Sequence, residues 1–138
     1  MTICGYGPAD MPSRILVIAA DDEIQRGFDP LLRSYNMAAA CAGTLSRAQE
    51  ITTTSGVEAV ILQAGFSGSL PGLHFVKWLR SQPEYRRTPV AVVIREDELQ
   101  DHEVAAAEAL GARVFRYPAA LDQILVHVNA AITERRAA

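Results

Sequence analysis

Three short runs of apolar residues constrain the fold of this chain more than any other feature. They are rich in β-branched residues and contain very few polar side chains: Arg14–Ala20, Val57–Leu62 and Pro89–Ile94. A strand with one solvated face alternates apolar and polar residues, whereas a strand buried on both faces is apolar throughout. The three runs therefore predict central strands of a parallel sheet that helices cover on both sides.

Segments with helical spacing separate these runs from each other and from two weaker strands, Met37–Cys41 and Val114-Phe115. Apolar residues recur every three or four positions in five segments: one that ends at Tyr35, Thr44–Ser55, one that stops before Pro83, Glu96–Leu110 and Ala120–Arg136. Five strands that alternate with five helices predict a doubly wound α/β domain. We assign this domain to residues 14–136, and the Gly- and Pro-containing residues 1–13 to a flexible leader.

Composition and charge exclude several classes of protein. Apolar residues make up 49% of the 138 residues and charged residues 21%, which suits one domain with one core and argues against disorder. A domain that binds duplex nucleic acid usually carries a basic face. This chain has a net charge of −3 and only two adjacent basic pairs, Arg86-Arg87 and Arg135-Arg136. We therefore expect no direct nucleic-acid partner.

The number of cysteines and the lengths of the apolar runs indicate the cellular compartment. Cys4 and Cys41 are too few for a disulfide framework or a zinc site, and Cys41 ends an apolar run, which predicts a buried side chain. No apolar run reaches the roughly 20 residues that span a bilayer. The N-terminus also lacks the basic-then-apolar order of a secretory signal. We expect a cytoplasmic protein that does not associate with membranes.

Histidines and serines form no recognisable catalytic or metal-binding pattern. His74, His102 and His127 match no metal-ligand spacing, and Ser67 and Ser69 lack a paired His and Asp. The loop Gly65–Ser69 could hold a phosphate in a small flavin- or nucleotide-binding domain. It matches neither the dinucleotide-binding nor the Walker spacing, so a turn is favoured. We expect no cofactor.

Several stretches, taken in order, resemble the receiver domain of bacterial response regulators of two-component signalling. They are Ile15–Ile18, Val60–Leu62 with Pro71–Arg80, Thr88–Val93, and Ala109–Ala112 with Tyr117-Pro118. The resemblance covers about residues 14–134. It implies a flavodoxin-like sheet with strand order 2-1-3-4-5 and a functional site at the carboxyl ends of the first and third strands.

The resemblance also implies which residue types a working receiver needs at that site. These are two acidic residues after the first strand that hold magnesium, an acceptor aspartate after the third, a Ser or Thr after the fourth and a Lys after the fifth. Alignment without gaps through the first strand places other residues at those positions: Ala19, Ala20, Gln63, Ile94 and Tyr117. Only Pro118 keeps the family's residue type. We therefore expect a degenerate pseudo-receiver that neither binds metal nor accepts phosphate, and is not an enzyme.

Two alternatives remain open at this point. A two-residue shift would place Asp21 and Asp22 at the acidic pair and restore a cation site, as in an atypical but phosphorylatable regulator. Both residues also suit the first turn of a helix, where each would contribute about 0.3–1 kcal/mol. In the second alternative, the uncharged crevice around Ala19, Gln63 and Tyr117 holds a small apolar ligand.

The resemblance implies that partners bind at helix four, strand five and helix five. Phe115 resembles the aromatic residue of strand five that responds to phosphorylation, although Tyr117 could take that position, and Ala106 and His127 should point outward. Trp78, predicted to lie off the core stripe of helix three, offers an alternative contact. The expected partners are a histidine kinase, an output protein or a second copy in a homodimer. We also expect a cis peptide before Pro118.

Overall fold

A computed structural model describes residues 13–19, 22–63, 71–95, 101–117 and 121–137. The strands are β1 (Ser13–Ile18), β2 (Met37–Ala42), β3 (Ala59–Gln63), β4 (Val90–Arg95) and β5 (Arg113–Tyr117). The helices are α1 (Asp22–Ser34), α2 (Leu45–Ser55), α3 (Pro71–Ser81), α4 (Asp101–Ala109) and α5 (Leu121–Ala137), with a 3-10 turn at Pro83–Tyr85. Strands and helices alternate as predicted. The leader assigned to residues 1–13 lies almost entirely outside the described residues and stays a prediction.

The five strands form one parallel sheet in the order β2-β1-β3-β4-β5. Ile18 pairs with Leu62, Leu62 with Val92, and Val92 with Val114, so the strands end close to one level. The predicted flavodoxin-like fold is confirmed. The strand order reverses direction between β1 and β3, and in such sheets ligands bind beyond the carboxyl ends at that point.

The three apolar runs are buried on both faces of the sheet because helices cover each side. Leu16 and Ile18 pack toward α2, α3 and α4, while Ile15 and Val17 pack toward α1 and α5. All four side chains are at most 1% exposed. Burial on both faces explains why the sequence shows continuous apolar runs there instead of alternation.

Local sequence explains why α1 is continuous and where α2 begins. Gly27 and Pro30 do not interrupt α1, because Pro30 is exposed while Phe28 and Leu32 are fully buried. The Thr44 side chain accepts a hydrogen bond from the Arg47 N–H at 3.2 Å and caps the start of α2.

The prediction that Cys41 is buried is wrong: its side chain is exposed. The reason is its place on β2, which lies at an edge of the sheet, where only Met37 and Ala42 are buried along the strand. Among the described residues, no helix is long and apolar enough to cross a bilayer.

Candidate functional site

The first position of the candidate site, Ala19, follows β1 directly and is fully buried. Its N–H donates a hydrogen bond to the Ala42 carbonyl oxygen at 3.2 Å, which ties the backbone to the end of β2. The methyl group packs with the core residues that face α1 and α5. The residue predicted to stand at the position of a metal-binding carboxylate is therefore part of the core.

Gln63, which is predicted to stand at the acceptor position, is the last residue of β3 and is half-buried. It pairs in register with Val93 on β4. Ile18 on β1 pairs with Leu62 on β3. The next residues along these adjacent strands are Ala19 and Gln63. The fold thus brings these two predicted positions together at the carboxyl edge. A side-chain amide is a much weaker nucleophile than a carboxylate.

The hydroxyl position, Ile94, is 2% exposed. It lies one residue beyond the partner of Gln63 and packs with the core residues that face α2, α3 and α4. Ala19 and Ile94 therefore belong to the two opposite cores of the sheet. An aliphatic side chain in the core offers neither a hydroxyl nor a charge to a phosphoryl group.

The fifth position, Tyr117, ends β5 and pairs with Arg95 in register. The Tyr117 side chain lies outside the described part of the molecule. The whole of Ala20, Asp21 and Pro118 also lies outside it. Asp22 is the first residue of α1, and its side chain is likewise not described. The alternative acidic pair, the cis peptide and the small-ligand crevice therefore all stay predictions.

The residues described at this edge do not fit the magnesium ion that a working receiver holds. Magnesium prefers carboxylate and other oxygen ligands in octahedral geometry. Ala19 and Ile94 offer no side-chain oxygen, and Gln63 offers one amide oxygen. In the described ranges, no group of three or more His, Cys, Asp or Glu side chains is arranged to hold a metal.

The predicted contact surface comprises α4, β5 and α5, and its residues differ in exposure. Ala106 on α4 is exposed, as predicted. Phe115 on β5 is only 8% exposed and packs toward α1 and α5, with its ring centroid 5.7 Å from that of His127. His127 is half-buried and not fully outward. Val126, which the sequence analysis did not single out, is 55% exposed on α5.

Trp78, the alternative contact residue, lies at the margin of the core. Its side chain is half-buried, and its ring centroid lies 5.5 Å from that of Phe75, which is 1% exposed. The indole also packs against the core residues facing α2, α3 and α4. These contacts give Trp78 a packing role, and its contact with a partner stays a prediction.

The amino edge of the sheet carries a cavity that the sequence analysis missed. It has a volume of about 690 Å³ and lies where α3 and α5 end and where β4 and β5 begin. Its lining includes five arginines: Arg80, Arg86, Arg87, Arg113 and Arg135. In the sequence, the two adjacent basic pairs were the only indication of this site. The fold brings Arg86 and Arg87 of the first pair together with Arg135 of the second.

Comparison with known proteins identifies the fold. No family model and no curated protein matches the sequence. Among solved structures, a CheY-like response regulator receiver domain protein from Methanospirillum hungatei superposes with a TM-score of 0.78 at 12% identity, covering 91% of this chain and 97% of that one. The receiver domain of a signal transduction histidine kinase from Syntrophus aciditrophicus gives 0.74 at 16% identity, with coverages of 88% and 91%.

A third similar structure is the beryllofluoride-activated NtrC4 receiver domain dimer, with a TM-score of 0.74 at 18% identity and coverages of 88% and 97%. Because the identities are low, these likenesses concern the fold alone. The chain therefore has the fold of the receiver domains of two-component signalling.

Proposed function

We propose that this chain is a phosphorylation-independent receiver domain that acts as a protein-contact module in bacterial signal transduction and has no enzymatic activity. The observation that carries the proposal is the burial of two chemical positions in the core. Ala19 is fully buried and Ile94 is 2% exposed, on opposite faces of the sheet. The acceptor position between them, Gln63, carries no charge.

At the three described positions, phosphoryl transfer would lack the groups on which the reaction depends. The reaction needs a nucleophile at the acceptor position, and it needs cations or hydrogen-bond donors that stabilise the charge on the transferred group. Gln63 supplies a neutral amide, while Ala19 and Ile94 supply methyl and aliphatic groups. We infer that this domain holds one conformational state and signals through the partners that it binds.

The proposed contact surface is formed by α4, β5 and α5. Val126 is 55% exposed and Ala106 is exposed, so apolar groups from both helices are available to a partner. Exposed apolar groups of this kind support association, since burial of their surface is favourable. The proposed partner is a histidine kinase, an output protein or a second copy of the chain. The NtrC4 receiver domain, which has the same fold, was solved as a dimer.

The test of the function uses acetyl phosphate with magnesium and intact-mass spectrometry. The wild-type chain should gain no phosphoryl group. The matched control restores the five positions together, as Ala19→Asp, Ala20→Asp, Gln63→Asp, Ile94→Thr and Tyr117→Lys, and should gain one if it folds. A competent receiver domain treated in parallel verifies the reagents. A stable, magnesium-dependent phosphoryl adduct on the wild-type chain would overturn the proposal.

A further inference from the structure

The cavity at the amino edge of the sheet gathers positive charge from four separate parts of the chain. Arg80 lies near the end of α3, Arg86 and Arg87 in the turn before β4, Arg113 at the start of β5, and Arg135 near the end of α5. We call these five residues and the space between them the arginine pocket. In a parallel α/β sheet the helices end where the next strands begin, so the fold itself brings the five together.

The charge of the arginine pocket contrasts with that of the whole chain. The pocket holds five of the 13 lysines and arginines of a chain whose net charge is −3. One carboxylate, that of Glu134, also lines it. Four of the arginines, Arg86, Arg87, Arg113 and Arg135, are exposed. A basic concave site on an acidic protein concentrates a positive potential at one place.

Two titratable groups that line the cavity lie close to these charges. Burial, and next the charge of Arg135, lower the pKa of Arg80 from its ordinary value. Burial, and next the charge of Arg113, lower the pKa of His127, which also lines the cavity. In both cases burial is the larger cause and a nearby guanidinium the smaller one. An anion bound between Arg80 and Arg135 would relieve the repulsion between their two charges.

A purely structural role explains Arg80 but not the other four arginines. The Arg80 guanidinium donates from Nε to the Leu110 carbonyl oxygen at 2.8 Å, and from Nη1 to the carbonyl oxygens of Tyr85 at 3.0 Å and Thr88 at 2.8 Å. It thereby fixes the floor of the pocket. The side chains of Arg86, Arg87 and Arg135 form no hydrogen bond or ion pair with any other described residue.

Arg113 likewise forms no ion pair with a described residue, and its guanidinium lies 5.8 Å from the centroid of the Phe115 ring. The Thr88 side chain, which lines the cavity, is 1% exposed, and its Oγ1 has no hydrogen-bond partner among the described residues. A buried hydroxyl without a partner is unfavourable, because it has lost its hydrogen bonds to water. The pocket thus contains both unpaired cations and an unsatisfied polar group.

The pocket also has the size and the apolar surface of a small-molecule site. Its volume of about 690 Å³ lies within the roughly 300–1,000 Å³ typical of such sites. Pro89, Leu110 and Ala131 contribute apolar wall beside the arginines. A ligand could therefore place charged groups on the arginines and an uncharged portion against this wall.

We propose that the arginine pocket binds a small molecule that carries two or more phosphate groups, held by Arg86, Arg87, Arg113 and Arg135. Guanidinium groups bind phosphate oxygens through paired, charge-assisted hydrogen bonds, and all five basic residues of the arginine pocket carry them. Several cations around one concave space match a polyphosphate better than a single phosphate. The arginine pocket lies at the opposite edge of the sheet from Ala19 and Gln63, so the proposal does not rest on the absence of phosphorylation there, although its β5 and α5 residues border the proposed contact surface.

Calorimetric titration of the full chain near physiological salt tests the proposal with ADP, inorganic pyrophosphate and adenosine as probes. ADP and pyrophosphate should bind with a Kd below about 1 mM, and adenosine should bind far more weakly. The double variant Arg86→Ala/Arg87→Ala should weaken ADP and pyrophosphate binding by about tenfold or more. The matched control, Arg26→Ala/Lys77→Ala, removes the same charge from exposed positions on α1 and α3 and should leave binding unchanged.

Amide chemical shifts locate the site and separate the outcomes. Perturbation on pyrophosphate binding should centre on Gly111, Ala112 and Arg113 at the start of β5. No binding of either phosphate probe, or equal weakening by the control variant, would overturn the proposal. It would also be overturned if an acidic peptide of glutamates bound through Arg86 and Arg87 while pyrophosphate did not, because the pocket would then be a protein-docking site.

Discussion

The two edges of the sheet differ in the chemistry of their side chains. At the carboxyl edge, the described positions of the candidate site carry a buried methyl group, a neutral amide and a buried aliphatic side chain, on Ala19, Gln63 and Ile94. At the amino edge, five arginines surround a cavity of about 690 Å³. In a working receiver the ionic chemistry belongs to the carboxyl edge.

This difference shows that a fold and its chemistry can be separated. The sheet has the receiver-like strand order, while Ala19 and Ile94 at its carboxyl edge pack in the two cores. The amino edge is held together differently, since the Arg80 guanidinium bonds three carbonyl oxygens from the segments before β4 and β5. Function has to be argued from sites and not from the fold alone.

The largest effect is expected at Arg80. Arg80→Met keeps much of the side-chain volume but removes the donors to Leu110, Tyr85 and Thr88. Because three partly buried carbonyl oxygens lose a charged donor, the free energy of unfolding should fall by about 2–4 kcal/mol. Urea denaturation followed by circular dichroism measures this change.

Lys77→Met on the same helix is the matched control for Arg80→Met. Lys77 is exposed, so its loss should change the free energy of unfolding by no more than about 0.5 kcal/mol. Equal effects of the two substitutions would show that the amino edge does not depend on the Arg80 hydrogen bonds. The contrast between the two edges would then be one of charge alone.

An intermediate effect is expected from substitutions on the surface formed by α4, β5 and α5, which extends between the two edges of the sheet. Ala106→Glu together with Val126→Glu places charges at exposed positions of both helices. Burial of these charges would oppose contact, so association with a second copy or a signalling partner should weaken about tenfold, or about 1.4 kcal/mol. Sedimentation equilibrium and partner capture measure the change. We prefer Val126 to His127 here because His127 packs against Phe115.

The control for this pair is Ser46→Glu with Thr53→Glu, at exposed positions of α2. It adds the same charge away from the proposed surface and should leave association intact. If the α4 and α5 variant associates normally while a folded Trp78→Ala variant does not, the contact surface lies on α3 instead. That result would contradict the assignment to α4, β5 and α5.

The smallest effect concerns the pH dependence of stability at His127. Burial, and next the charge of Arg113, hold its pKa in the folded state below the ordinary value of 6.5. As the pH falls from about 6.5 through the lowered pKa, the unfolded chain binds more protons at this residue, so the free energy of unfolding decreases. The contribution of His127 to the free energy of unfolding is fully present above pH 6.5. His127→Gln should therefore lose less stability than the wild type over this interval.

Thermal melts across the pH interval measure this difference, and His74→Gln, at an exposed position of α3, serves as the control. The control should lose stability with falling pH as the wild type does. Parallel behaviour of wild type and His127→Gln would mean that neither burial nor the Arg113 charge lowers the pKa of His127 in the folded state.

Most of the fold could be predicted from the sequence, for a simple physical reason. A strand buried on both faces must be apolar throughout, so the runs that became β1, β3 and β4 could be recognised from composition alone. Edge strands have no such requirement. For that reason β2 was recognised but the exposure of Cys41 was predicted wrongly.

The site could be predicted in part. The resemblance in sequence aligned Ala19 and Gln63, and pairing of β1 with β3 places them side by side. Exposure on helices was harder to predict, because it depends on which neighbouring element covers each face. Trp78 packs at the margin of the core, and Val126 on α5 is exposed although valine is apolar.

The sequence by itself determined the alternation of strands and helices, because this alternation follows from local composition and order, while its assignment of five chemical positions stays a prediction. Only the tertiary structure decided which distant residues meet. Arg86 and Arg135 are far apart along the chain, and they line one cavity because α5 ends beside the start of β4 and β5. Local patterns carry no record of such contacts, since these depend on the order of strands in the sheet and on the packing of helices against it.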